Sequence, residues 1–169
     1  MGGAWSPGPD LPFRIRKPNL IHANGVYGKT LVYAGSLFST SGAKLVSREA
    51  HVYSWFHSEW TKCQDTPVEM ALSSVALAYG KAGYVVQSVK AACHFFLDNT
   101  LSDWVAIATG GRSSSGVNNA RTFKFNFRDY TWTELPGAPL LPVADFHLSG
   151  FMTRESRRSI LCSLHWKQA

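Results

Sequence analysis

Apolar residues fall along this chain in short alternating runs, and Gly, Ser, Asn, Asp and Pro gather between them. That is the pattern of many short strands joined by turns. It is plainest over residues 104–136. Trp104-Val-Ala-Ile-Ala-Thr-Gly-Gly111 leads into a Ser/Gly/Asn loop, then Arg121-Thr-Phe-Lys-Phe-Asn-Phe127, a polar turn and Trp132-Thr-Glu-Leu-Pro136. Three strands of a small antiparallel sheet are expected there.

The same order occurs upstream. Residues 21–27 and 29–35 read as two strands turning at Gly28, where a glycine can take positive φ. A loop follows over 36–48, then a third strand over 49–56 and a fourth over 60–63, with a tight turn at 57–59. Tyr53 leads Trp60 by seven positions, as Phe125 leads Trp132. Repetition of this kind signals one supersecondary unit used more than once. The second unit is expected to open with a strand over 94–97, beginning at His94 as the first begins near His22. A third copy opens at Phe146-His147 and continues over 158–164, which supplies two strands. Residues 1–12, with Trp5 and Asp10-Leu-Pro12, read as the last strand of a preceding unit. The stretch 67–93 reads as an insertion, either a hairpin turning at 80–83 or a short helix over 68–79; Val75, Val85 and Val86 favour strand. The boundaries are therefore 1–12, 13–66, 67–93, 94–142 and 143–169.

Composition supports a globular, mostly β chain. Hydrophobic residues make up 45% of the 169, enough for a core, and charged residues only 17%. The net charge of +6 admits an anionic partner, but the basic residues gather only at 14–17 and 154–158 and lack the interleaved aromatics of a single-strand groove, so nucleic acid is not expected. Cys63, Cys93 and Cys162 are too few and too widely spaced for a disulfide framework or a zinc ribbon. With no apolar run of membrane-spanning length and no signal-peptide core, no membrane role and a cytoplasmic location are expected. Met1-Gly-Gly-Ala-Trp-Ser6 fits a loose myristoylation pattern that fixes few positions.

With these residues in view, the chain resembles the kelch repeat. It has a hydrophobic run ending in Gly110-Gly111, less perfectly in Ala34-Gly35, then an aromatic seven places before a Trp. Departures are Ala34, Ser163-Leu164 where a third Gly pair belongs, and the stretch after Pro67. The resemblance implies an all-β fold, an incomplete kelch-type β-propeller with two full four-stranded antiparallel blades and parts of two more. It also implies that each Trp packs between blades and that the Gly pair permits close backbone approach. Since a propeller needs at least about four blades, the chain is expected to be a fragment, an isoform, or a half that self-associates or pairs with further blades.

Strand parity puts the loops 36–48 and 112–120 and the stretch 67–93 at one end of the blades. The family's habit of binding protein segments then nominates Arg112, Ser113, Ser114, Asn118 and Asn119, with Ser39, Thr40 and Lys44, as contacts for a polar or acidic peptide. His22, His94 and His147 are expected to be repeat-related and to tie each blade by a backbone hydrogen bond; no metal site, cofactor or catalytic residue is assigned. No P-loop or Gly-x-Ser-x-Gly elbow is present. The expected function is a non-catalytic protein-interaction module, an adaptor or scaffold. The alternative is a fragment of a kelch-propeller enzyme, a lyase, epimerase or copper oxidase.

Overall fold

A computed structural model describes residues 4, 7–23, 28–37, 41–42, 45–79, 93–95, 104–135, 147–152 and 159–164. The fold is all-β, in three antiparallel sheets. The first sheet joins β1 (Asn19–Ala23), β2 (Lys29–Leu37), β3 (Leu45–Ser54) and β4 (Glu59–Lys62) in sequence order. The remaining strands are β5 (Ser74–Tyr79), β6 (Cys93–Phe95), β7 (Trp104–Thr109), β8 (Thr122–Asn126), β9 (Thr131–Glu134), β10 (His147–Met152) and β11 (Ser159–Leu164). The second sheet has the order β5-β7-β8-β9, and the third β10-β11-β6. Among the described residues no helix is long and apolar enough to cross a membrane.

Register makes the aromatic spacing a cross-strand contact. Tyr53 sits opposite Trp60 on β3 and β4, and Phe125 opposite Trp132 on β8 and β9. In both hairpins four residues connect the strands, and the last of them, Ser58 or Tyr130, takes a left-handed φ of 54° or 59°. Period-two alternation then sorts each sheet into two faces. On the first sheet Ile21, Leu31 and Val52 share a row on one face, with Tyr33 and Ala50 in the next row. On the second, Leu77, Ala106, Phe125 and Trp132 form one row, beside Val75, Ala108 and Phe123. These two faces close on each other as the core. Trp132 meets Tyr33 edge-on at 5.1 Å, its indole N–H donates to the Gln64 carbonyl at 3.1 Å, and its backbone N–H to Gln64 Oε1 at 2.9 Å. Lys29 Nζ donates to the Phe127 carbonyl at 3.0 Å and lies over the Tyr130 ring. Tyr33 Oη and Ser73 Oγ are 2.9 Å apart, and burial raises the Tyr33 phenol well above its ordinary pKa.

One expected strand lies elsewhere. Residues 94–97 do not open the second sheet: Ser74–Tyr79 takes that place, paired with β7 from Ser74 opposite Thr109 to Tyr79 opposite Trp104. His94 and its neighbours in β6 pair instead with β11, His94 opposite Leu161. So 67–79 is no insertion; it holds the connection and first strand of the second sheet, and the extended reading of Val75 is the one realised. The connection fixes this choice, because Ala71 and Arg112 exchange backbone hydrogen bonds of 3.1 and 2.7 Å that set β5 beside the end of β7. The first sheet has the same device, with Arg16 and Ser36 exchanging two bonds of 2.9 Å.

The glycine expectation has a direct counterpart. Gly111 has φ +97°, and a Cβ there would lie 2.8 Å from the Met70 backbone. Gly35, at φ +138°, faces Ile15 and the Arg16 carbonyl as closely. Ala34, where the Gly pair is imperfect, still takes a φ of 45°, at a bulge that sets Arg48 and Glu49 of β3 against it alone. The displaced Arg48 carbonyl accepts from Thr66 N and Oγ1, and Arg48 Nε donates to the Thr66 carbonyl at 2.6 Å, holding the chain that leaves β4.

His51 is buried on the other face of the first sheet, stacked under Phe13 with centroids 4.5 Å apart. Its Nε2 makes no hydrogen bond among the described residues, and Glu49 Oε2 lies 3.6 Å away. Burial holds the imidazole below its ordinary pKa of 6.5, Glu49 and Asp65 opposing and Lys62 assisting. With the folded pKa below the unfolded one, this stability is present above pH 6.5 and is lost as pH falls through 6.5 towards the lowered folded value. Urea unfolding at about pH 7.5 and about pH 5 is expected to show a larger acid-side loss in the wild type than in His51→Gln.

Candidate functional site

The connections and loops at one end of the two four-stranded sheets enclose an open groove of about 470 Å³. Arg16 and Lys17 come from the connection into β1, and Ala71 and Leu72 from the connection into β5. Ser36 and Leu37 end β2, Leu45 and Val46 begin β3, and Arg112, Ser113, Ser114 and Gly116 belong to the loop after β7. Strand parity demands this convergence, since the loop after the second strand and the connection into the first strand emerge at the same end. Lys17 and Leu72 are matched turning points, with left-handed φ of 51° and 56°.

The loop 112–119 holds itself in shape. Ser113 N donates to the Val117 carbonyl and Gly116 N to the Ser113 carbonyl, while Ser113 Oγ lies 2.7 Å from Ser115 Oγ and accepts from Val117 N. Ser114 ties the loop to both neighbours. Its N–H donates to Glu69 Oε2 at 2.6 Å, its hydroxyl donates to Glu69 Oε1 at 2.9 Å, and the same oxygen accepts from Val46 N. The Glu69 carboxylate is thereby committed to Ser114. Arg16, Lys17 and Arg112 are exposed, and among the described residues none of them has a carboxylate within ion-pair distance. Arg112 Nε donates to Asn118 Oδ1 at 3.1 Å, leaving the rest of its guanidinium uncommitted to any protein group described.

Of the contact residues expected from sequence, Arg112, Ser113 and Ser114 line the groove. Asn118 orients Arg112. Asn119 serves the loop, its side chain donating to the Gly110 carbonyl and accepting from Arg121 N. Ser39, Thr40 and Lys44 lie outside the described residues. Sequence reading missed Arg16, Lys17 and Leu72, although a signal existed: Trp5 precedes Asp10 and Pro12 by the same intervals as Trp60 precedes Asp65 and Pro67. That match makes Arg16 and Lys17 the counterparts of Ala71 and Leu72, and so places them beside the loops. The histidines do not form a repeated set, because His94 lies in β6 of the third sheet, whereas His22 in β1 has Nδ1 2.8 Å from the Thr30 hydroxyl. Among the described residues no three His, Cys, Asp or Glu side chains gather to hold a metal.

The fold and this groove define an all-β protein of tandem antiparallel sheets with a cationic, partly apolar cleft at one end. No family model matches the chain, and no curated protein does. Among solved structures, one titled "Structure of YjhT" is similar at 13% identity with a TM-score of 0.32, over 83% of this chain and 57% of that one. Likeness at that level establishes neither a fold family nor a function.

Proposed function

We propose that the chain is part of a kelch-type β-propeller and acts as a non-catalytic protein-interaction module, holding a polar or acidic peptide segment of a partner protein in the groove. The observation that carries this reading is the lining: Leu37, Leu45, Val46 and Leu72 offer apolar surface, and Arg16, Lys17 and Arg112 offer cations from two successive units. Carboxylates meet such cations in charge-assisted hydrogen bonds, while the apolar lining removes hydrophobic side chains from water. The two sheets with matched Tyr53–Trp60 and Phe125–Trp132 pairs support the propeller part of the proposal. In that role the chain serves as an adaptor or scaffold in the cytoplasm.

The test is fluorescence anisotropy with a labelled peptide pool rich in Asp, Glu and Leu, against a pool with Lys in place of the acids. Preferential binding of the acidic pool is expected, weakening as salt rises. The double variant Arg16→Glu, Arg112→Glu should lose about tenfold or more in affinity, as removal of two charge-assisted contacts implies. Equal binding of both pools, or affinity indifferent to the double reversal, would remove the groove as the site.

A further inference from the structure

The backbone bonds around the groove put its lining in a fixed order. Arg16 and Ser36 exchange two hydrogen bonds of 2.9 Å, so the first connection lies beside the end of β2. Ser36 stands opposite Val46 and Leu37 opposite Leu45, which puts β3 next. Val46 donates its N–H not to β2 but to Ser114 Oγ at 2.9 Å, so the loop after β7 follows. Arg112 belongs to that loop and is bonded in turn to the Ala71 backbone. Across the strand ends the lining therefore runs cation, apolar pair, cation: Arg16 with Lys17, then Leu37 and Leu45, then Arg112. Leu37 and Leu45 are 37% and 46% exposed, so the middle of the row is open to an apolar ligand group. The Glu69 carboxylate beside the loop is already engaged by Ser114.

We infer that the peptide segment this groove takes has the pattern acid-x-apolar-x-acid and lies across the strand ends in extended form. The inference rests on the groove being a peptide site and adds the spacing which that site selects. Three chain-to-chain steps of about 5 Å separate the Arg16 backbone from Ser114, about 15 Å in all. In an extended peptide the side chains at i, i+2 and i+4 share one face, and the outer two stand about 13 Å apart. The outer acids then meet Arg16 and Arg112, whose side chains supply the remaining reach, in charge-assisted hydrogen bonds. The apolar residue between them settles on Leu37 and Leu45 and leaves water with them. Adjacent acids cannot do this, since their side chains leave the backbone on opposite faces. A helical segment fails as well, because acids at i and i+4 are only about 6 Å apart along its axis.

The test is fluorescence anisotropy on the full chain with short labelled peptides built on Asp-Ser-Leu-Ser-Asp. An isomer of the same composition carries its two Asp side by side, and a third peptide has Lys for both. The spaced peptide is expected to bind about tenfold or more tighter than the isomer, one charge-assisted contact being the difference. Changing its Leu to Ser should weaken it about fivefold or more. Arg16→Gln should make binding indifferent to replacing one of the two Asp by Asn, and Arg112→Gln indifferent to replacing the other. The deciding comparison is made on the peptides, so it holds even where a protein variant fails to fold. Equal affinity for the spaced and adjacent isomers, with the Lys peptide weaker than both, overturns the spacing and leaves the groove as an acidic-peptide site. Both arginine variants responding to the same Asp overturns it too. Acidic and Lys peptides binding alike removes the groove reading and this inference with it.

Discussion

Trp132→Ala is expected to destabilise the protein by about 3–5 kcal/mol, the range for removing a large aromatic from a core. Three losses combine. The indole fills the space between the two four-stranded sheets, against Phe125 on its own sheet and Tyr33 on the other, so its removal leaves a cavity that two rigid sheets cannot collapse around. The Gln64 carbonyl loses the indole N–H, and with it one part-buried hydrogen bond. The backbone bond from Trp132 N to Gln64 Oε1 depends on the same close approach. Trp60→Ala is the internal control. Trp60 is only half-buried and its neighbour Trp55 is exposed, so its removal should cost less than half as much, about 1–2 kcal/mol. Urea denaturation at low protein concentration measures both, and equal losses would show that Trp132 does not hold the sheets together.

Gly111→Ala is expected to cost about 3 kcal/mol, a side chain being excluded here on two counts. At φ +97° the backbone lies outside what an L-residue adopts without strain, and the new Cβ would stand 2.8 Å from Cα and C of Met70. Those atoms belong to main chain pinned by the neighbouring Ala71–Arg112 bonds, so they cannot swing aside as the end of a flexible side chain would. Because the same bonds seat Leu72 and Arg112 in the groove, peptide affinity should fall along with stability. Gly116→Ala separates the two causes. Its φ of +82° is similarly unfavourable, but nothing lies within 4 Å of the added methyl, so a loss of about 1 kcal/mol is expected there. Thermal unfolding of the pair gives the comparison; indistinguishable midpoints would mean that close approach at Met70 contributes nothing.

The groove and the core share a cause in the two connections. Pro12 and Pro67, like Lys17 and Leu72, are related by fifty-five residues (67 − 12, 72 − 17). Each connection crosses the glycine-bearing end of its own second strand and turns through a left-handed residue into its first. The first connection carries its cations on the crossing segment, as Arg16 and Lys17; the second carries its cation on the strand end crossed, as Arg112. A basic cluster that reads as scattered surface charge in sequence is thus half of a two-sided cationic rim.

The sequence by itself determined the all-β character, the hairpins of β3–β4 and β8–β9 with their facing aromatics, and the need for glycine at the strand ends. Each of these is written locally: alternation with period two assigns faces, and a seven-residue spacing across a four-residue turn brings Tyr53 to Trp60 and Phe125 to Trp132. Tertiary structure alone decided which run opens the second sheet, that β6 departs to pair with β11, and that Trp132 is enclosed while Trp60 is not. Ser74–Tyr79 and the residues around His94 are both short and strand-forming, so propensity cannot rank them; the backbone bonds of Ala71 with Arg112, partners far apart in sequence, do. Burial of Trp132 and the partial exposure of Trp60 likewise depend on what lies across each sheet face, a quantity that the local spacing does not encode.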